Sequence, residues 1–331
     1  MLKSFRFRLP KALRKFNIPG IFWGVLFLII LFSALRPSRF PTVLNMMFIA
    51  RNASVLVIAA TGMTFAILIA QIDLSIGSVM SLSGVIAAAF ISAGLNVFTA
   101  ILLAMLAGII VGLANGILIA KFKFDYWIVT FSTMGVCAGL ALVVSDGRTI
   151  LVGDPTFGWI GGGKIGAVFA MVYFTVLLVI IMHFVLAKTR YGYRVYAIGG
   201  SEQSAMLSGI PVVRNHICVY IISGLFASIA GVVLAAMSNA ASPISGTAYS
   251  FEAMAAVVIG GTPFDGGKGG VIGTVFGALM LRILASGLNL LGIPANWQQV
   301  IIGAVIVAVI IADVLGEKRR KTNDLRRRYA Q

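Results

Sequence analysis

The sequence predicts an all-α polytopic membrane protein, organised as one membrane domain over residues 1–331. Hydrophobic residues make up 60% of the 331 positions, with a mean hydropathy of +1.02. Charged residues make up only 11%, against about 25% in a soluble domain. Apolar stretches of roughly 20 residues, the length that crosses about 30 Å of hydrocarbon, recur along the whole chain.

About ten transmembrane helices are expected, over 18–35, 53–70, 76–93, 97–120, 127–144, 166–187, 216–237, 252–264, 270–291 and 296–314. The first follows a basic stretch ending at Lys15 and shows no small-residue cleavage site behind it, so it reads as a span after a tail (1–17) rather than a signal peptide. The third opens directly on a polar motif and the eighth is short. Both are expected to be broken or re-entrant, which lipid tolerates only where protein or a cavity shields the backbone.

Orientation follows from the basic residues. Lys3, Arg6, Arg8, Lys11, Arg14 and Lys15 precede the first span, and Lys318, Arg319, Arg320, Lys321, Arg326, Arg327 and Arg328 follow the last, in a tail over 315–331. Lys121 and Lys123, and Lys188, Arg190, Arg194 and Arg214 in a polar island over 188–215, fall on the same side when ten spans are threaded. The positive-inside rule then places both termini and the island in the cytoplasm. Arg36, Arg39, Arg51, Arg148 and Lys164 fall on the other side. A net charge of +16 would suggest nucleic acid in a soluble protein. Here the charge sits in tails and short loops, so the partner it implies is membrane lipid and not nucleic acid. Cys137, Cys218, His183 and His216 are scattered through apolar segments and form no metal-ligand spacing.

The glycine-rich run Gly158–Gly166 imitates two nucleotide motifs. Gly158 to Lys164 has Walker A spacing, but Ile165 stands where a Ser or Thr should bind magnesium. Gly161, Gly163 and Gly166 match a dinucleotide fingerprint. Neither follows a strand in a βαβ unit, as both mechanisms require. The run is expected to be a loop, and no ATP site is expected in this chain.

Gln71-Ile-Asp73-Leu-Ser75-Ile-Gly77-Ser78 is the first polar break. A carboxylate between apolar segments is costly unless hydrated or paired, so Asp73 and Ser75 serve either a capped turn or a translocation path. Gly260–Gly270, with Asp265 and Lys268, is the second break and reads as a glycine-rich connection. Arg282 lies midway along the ninth span, where an arginine costs about 2.5–3.5 kcal/mol to insert. It calls for an interface, a water-filled path or a carboxylate such as Asp73 or Glu252. Asn115 and Asn289 fit interhelical hydrogen bonding or the same path.

The island 188–215 contains one short helix with both ends marked. Ser201 is a good N-cap, Glu202 puts negative charge at the positive end of the helix dipole, and Gly209 with Pro211 closes it. Ser201, Glu202, Gln203, Ser204, Ala205, Met206, Leu207, Ser208 and Gly209 are too few to be stable alone. The helix must dock either on its own protein or on a soluble partner.

Thr61-Gly-Met-Thr-Phe, Gln71-Ile-Asp-Leu-Ser-Ile-Gly-Ser, Tyr196-Ala-Ile-Gly-Gly, Ala205-Met-Leu-Ser-Gly-Ile, Ala255-Ala-Val-Val-Ile-Gly-Gly-Thr, Ser286-Gly-Leu-Asn-Leu-Leu-Gly-Ile and Trp297-Gln-Gln-Val occur in that order. Together they make the chain resemble the permease subunits of bacterial ABC importers for simple sugars, the ribose and xylose type above all. The resemblance implies the ABC importer permease fold, working as a homo- or heterodimer with a second permease subunit in the inner membrane. It implies a cytoplasmic ABC ATPase that carries the ATP and magnesium, with no cofactor on this chain. It also implies a periplasmic or lipid-anchored sugar-binding protein, and a coupling helix at Ser201–Gly209 that docks on the ATPase. The permease itself would be non-catalytic. Two departures bear on substrate: Asp125-Tyr126-Trp127 replaces a small apolar or proline-containing sequence, and Arg282 with Ala285-Ser286 replaces a glycine followed by paired asparagines. An ion-coupled secondary transporter and a membrane scaffold are the rival readings. The scarcity of buried carboxylates disfavours the first, and the two polar breaks disfavour the second.

Overall fold

A chain in lipid must satisfy its backbone hydrogen bonds within itself, and helices do this segment by segment. The computed structural model describes residues 21–294, 296–305, 307, 308 and 311. Both basic tails, 1–17 and 315–331, and the end of the last expected span lie outside the described residues. In chain order, α1 (Ile21–Leu35), α2 (Val43–Leu68), α3 (Ile76–Ser92), α4 (Val97–Ala120) and α5 (Tyr126–Ser145) lead to the strand β1 (Ile150–Leu151) and the short helix α6 (Pro155–Gly162). A hairpin of β2 (Lys164–Ile165) and β3 (Val168–Phe169) follows, then α7 (Ala170–Lys188), α8 (Arg190–Gly200), α9 (Glu202–Leu207) and α10 (Val212–Ser238). After β4 (Ala240–Ala241) come α11 (Tyr249–Ile259) and α12 (Val271–Leu290). Residues 296–305 are helical as well.

Each expected span within the described residues coincides with a helix, and these helices differ in length. Among the described residues, six helices are long and apolar enough to cross a membrane: α2, α4, α5, α7, α10 and α12. The helices α3 and α11 are apolar but only 17 and 11 residues long, and α1 has 15 apolar residues among those described. At 1.5 Å per residue, α11 reaches about 16 Å, half the hydrocarbon thickness. The eighth segment is therefore a half-helix entered through the turns at 242–248. The second span is longer than expected because Arg51 is accommodated inside α2. Its guanidinium donates to the carbonyls of Gly161 (2.9 Å) and Met237 (3.1 Å).

The run 158–166 is also corrected: it is not a loop. Residues 158–162 end α6, which starts on an Asp154 cap with Pro155 in its first turn. Asp154 Oδ1 accepts from the N–H groups of Thr156 and Phe157. The hairpin β2–β3 then pairs Lys164 with Phe169 and Ile165 with Val168. A helix stands where a phosphate loop would need its strand.

The central helices are α2 and α10. Every residue from Ala53 to Leu68 is buried, as expected for a helix that is apolar all round. The helices α4, α5 and α7 surround them and turn large side chains outward, including Ile110, Phe131 and Phe184, each more than half exposed. Such a surface belongs against lipid. Contact between α4 and α10 is close because Gly108, Gly112 and Gly116 repeat every four residues along one face. A Cβ at Gly112 would land on the backbone of Tyr220 and Ile221. On the far side, β1 pairs antiparallel with β4, Ile150 opposite Ala241, and closes the ends of the two segments beyond α5 and α10.

Gly112→Leu should lower the thermal unfolding midpoint in detergent by several degrees, since overpacking costs about 1–3 kcal/mol. Gly139→Ala, where nothing lies within 4 Å of the added carbon, should leave the midpoint unchanged.

Candidate functional site

Two features of the bundle are the candidates for function. The first is the helix break between α2 and α3. The chain leaves α2 through Ala70, whose φ of +58° turns it sharply. Side chains from the surrounding helices then take the place of the missing helical bonds. Asp73 is 1% exposed. Its Oδ1 accepts from the Ser75 N–H (3.0 Å) and the Ser75 hydroxyl (2.5 Å), and its Oδ2 accepts from the Ser223 hydroxyl of α10 (2.6 Å). Asn115 of α4 donates to Ser75 Oγ (3.2 Å) and accepts from Thr133 of α5 (2.7 Å). Tyr220 donates to Gln71 Oε1 (3.0 Å), and the Gln71 amide meets His216 Nδ1 at 3.4 Å.

The half-helix α11 closes the same break from the other side. Ser250 Oγ accepts from the Gly77 N–H (2.9 Å) and donates to the Leu74 carbonyl (2.8 Å). Ser81 Oγ accepts from the Gly246 N–H (2.9 Å). These bonds hold the two non-helical segments, 70–75 and 242–248, to one another across α3. Charge-assisted bonds such as those on Asp73 are about twice as strong as neutral ones. They allow a carboxylate to sit here without a cation.

The second feature is the platform formed by α8 and α9. Sequence reasoning found α9 and missed α8, which ends on Gly199-Gly200 directly before the Ser201 cap. The signal for α8 was the apolar face of Val195 and Ile198 behind the Thr189 cap. Gly199 must lack a side chain, since a Cβ there would strike the Leu68 carbonyl and the Gly267 N–H. Those two groups bond to each other at 2.9 Å. Tyr196 donates to the Gly269 carbonyl (2.8 Å). Burial pushes its phenol up from the ordinary range, so it stays protonated and remains a donor.

The end groups of α9 behave as its sequence indicates. Ser201 Oγ accepts from the Ser204 N–H (3.2 Å), and Gly209 has φ +78°. The N–H groups of Gly209 and Ile210 return to the carbonyls of Met206 and Ala205. Ala205 is 3% exposed and joins a cluster with Leu68, Ile69, Val212 and Val219. Met206 and Leu207 point away, 57% and 84% exposed. Glu202 approaches Lys123 at 3.9 Å, both well solvated. That pairing adds little stability but shows that the turn after α4 and α9 lie at the same end.

Residues 45–310 match the family described as the permease component of branched-chain amino acid transport systems. The chain is 38% identical to the ribose import permease protein RbsC of Haemophilus influenzae, over 90% of this chain and 94% of that protein. It is 38% identical to RbsC of Bacillus subtilis, over 89% and 92%. It is 35% identical to the D-allose transport system permease protein AlsC of Escherichia coli, over 90% and 92%. The chain belongs to this permease family. No solved structure matches it.

The permease brings Asp73, Ser75 and Asn115 into one buried network and keeps Arg282 and Asn289 apart from it. Of the two carboxylates named for Arg282, the fold selects Glu252. The guanidinium of α12 pairs with that carboxylate on α11 and lies over the Tyr249 ring, 5.2 Å from its centroid. Asn289 stands exposed near the far end of α12. The bonds from Gln71, Thr133, His216, Tyr220, Ser223 and Ser250 were not legible beforehand, because each joins residues distant in sequence.

Asp73→Leu should destabilise the permease by at least about 2 kcal/mol, because the Ser75 N–H and the Ser75 and Ser223 hydroxyls lose their acceptor in a buried site. Denaturant-induced unfolding followed by tryptophan fluorescence would measure it. Arg282→Met alone should cost about 3–5 kcal/mol by stranding Glu252, whereas Arg282→Met with Glu252→Leu should recover most of that loss. Equal unfolding midpoints for the single and double variants would contradict the pairing.

Proposed function

We propose that this permease is the transmembrane subunit of an ATP-driven ABC importer that moves a monosaccharide or related polyol into the cytoplasm. The named relatives import ribose and allose, and their similarity runs through both polar breaks and the platform. In this proposal a cytoplasmic ABC ATPase carries the ATP and magnesium, a periplasmic or lipid-anchored sugar-binding protein delivers the solute, and a second permease subunit completes the pathway. Both termini and the platform face the cytoplasm, in keeping with the basic residues that surround them.

The observation that carries the proposal is the form of α9. In this two-turn helix only Ala205 is buried, while Leu207 stands exposed and the half-exposed Met206 lines an apolar groove of about 510 Å³ along the start of α10. Exposed apolar side chains on a rigid, capped helix suit insertion into a partner's cleft. Glu202 and Gln203 supply a polar rim. The path itself runs past the helix break. Asp73, Ser75 and Asn115 shape its wall from behind by holding the break, Arg282 fixes the half-helix α11, and Asn289 stands at the far end of α12. Asp73 already has its bonds filled by serines, which suits a structural anchor better than the carboxylate of an ion-coupled secondary transporter.

Replacing Met206 and Leu207 by aspartate should abolish ATP-driven sugar uptake in proteoliposomes containing the ATPase and binding protein, with insertion and thermal stability intact. Ala205 is left unchanged because its substitution would disturb the permease's own packing. Wild-type uptake in the double variant would refute the docking role.

A further inference from the structure

The island and the helix break are linked by one helix. On α10, His216, Tyr220 and Ser223 fall at i, i+4 and i+7 and therefore share a face. That face points at the break. His216 and Tyr220 both hold Gln71, and Ser223 holds Asp73. The foot of the same helix packs with Ala205 of α9 in one apolar cluster. Displacement of α9 is thus delivered to the base of α10 by close packing, and from α10 to residues 71–73 by directional bonds.

Two further observations favour a movable link over a passive one. Gln71 uses both ends of its amide on α10, so a shift of that helix cannot leave it in place. Because the Gln71 amide donates to His216 Nδ1, the neutral ring carries its proton on Nε2. That Nε2 is buried and has no hydrogen-bond partner among the described residues. A buried donor without a partner is unusual, and it leaves the strap one bond that a second arrangement can make. Bistable packing of this kind is how small shifts at one site become large ones elsewhere.

We infer that Gln71, His216 and Tyr220 are positioning residues that transmit movement of the docking helix α9 to the broken helix at 71–75. The inference rests on the docking role proposed for α9. Hydrogen–deuterium exchange on the reconstituted permease–ATPase complex, with and without ATP, separates the two claims. The docking role is read from protection of α9 by the ATPase. Transmission is read from the change in exchange at 69–77 when ATP is added. In the wild type that change should be about two- to tenfold, the range that one net hydrogen bond supplies. Tyr220→Phe and Gln71→Leu should each diminish it while α9 stays protected, and the double variant should match Gln71→Leu, because that substitution alone already removes both bonds to α10. Thermal midpoints within a few degrees of wild type exclude simple misfolding. No ATP response at 69–77 in the wild type, an undiminished response in either variant, or multiplicative losses in the double variant would overturn the transmission claim. Failure of the ATPase to protect α9 would instead overturn the docking role.

Discussion

The backbone between α2 and α3 leaves its helix in a place with little water to replace the lost bonds, and the architecture is arranged around that constraint. An unsatisfied peptide group in such a medium costs several kcal/mol. The permease meets this with Gln71, Asp73 and Ser75 of the break itself and with Asn115 of α4, Tyr220 and Ser223 of α10 and Ser250 of α11 around it. Asp73 is the most expensive member to bury and also the most useful. One carboxylate accepts three short bonds and organises two serines, one of them on a different helix. The half-helix α11 is then less an aborted span than a cap. Its Ser250 completes the break with one bond accepted and one donated.

That arrangement explains why α10 occupies the centre. A helix that must present Ser223, Tyr220 and His216 to the break on one side has to approach α4 on another, and small residues make this possible. Gly108, Gly112 and Gly116 let α4 lie against the α10 backbone, where packing and weak contacts substitute for the hydrophobic drive that lipid removes. The outer helices need no such precision. Their exposed leucines, valines and phenylalanines meet a solvent as apolar as themselves.

Much of this was legible in the sequence, and what was hidden has a common cause. Segment positions, the shortness of the eighth segment and both ends of α9 follow from local rules: hydropathy, length, and the placing of serine, glycine and proline. Arg51 escaped because a hydropathy window penalises its charge and cannot see that carbonyls 110 and 186 residues away receive it. The helix α8 escaped because Gly199-Gly200 is permissive in either direction, and only the Leu68 carbonyl pressed against Gly199 shows why glycine is needed there. Asp73 and Asn115 were singled out as costly polar residues, but their relation to each other runs through Ser75, which no spacing rule reveals.

The Arg282–Glu252 pair bears on how far substrate identity can be read from this chain. A buried ion pair is weak support for stability, because desolvation consumes most of the attraction between its charges. Its value lies in geometry. It fixes α11 against α12 at one azimuth, with the Tyr249 ring under the guanidinium, beside the segment that caps the break. Where the resembled pattern has a glycine followed by paired asparagines, this chain has Arg282 with Ala285-Ser286, so α11 is held here by a contact that a glycine could not make. That contact lies where the chain departs from the resembled pattern, so the solutes of the ribose and allose permeases do not carry over to it residue by residue.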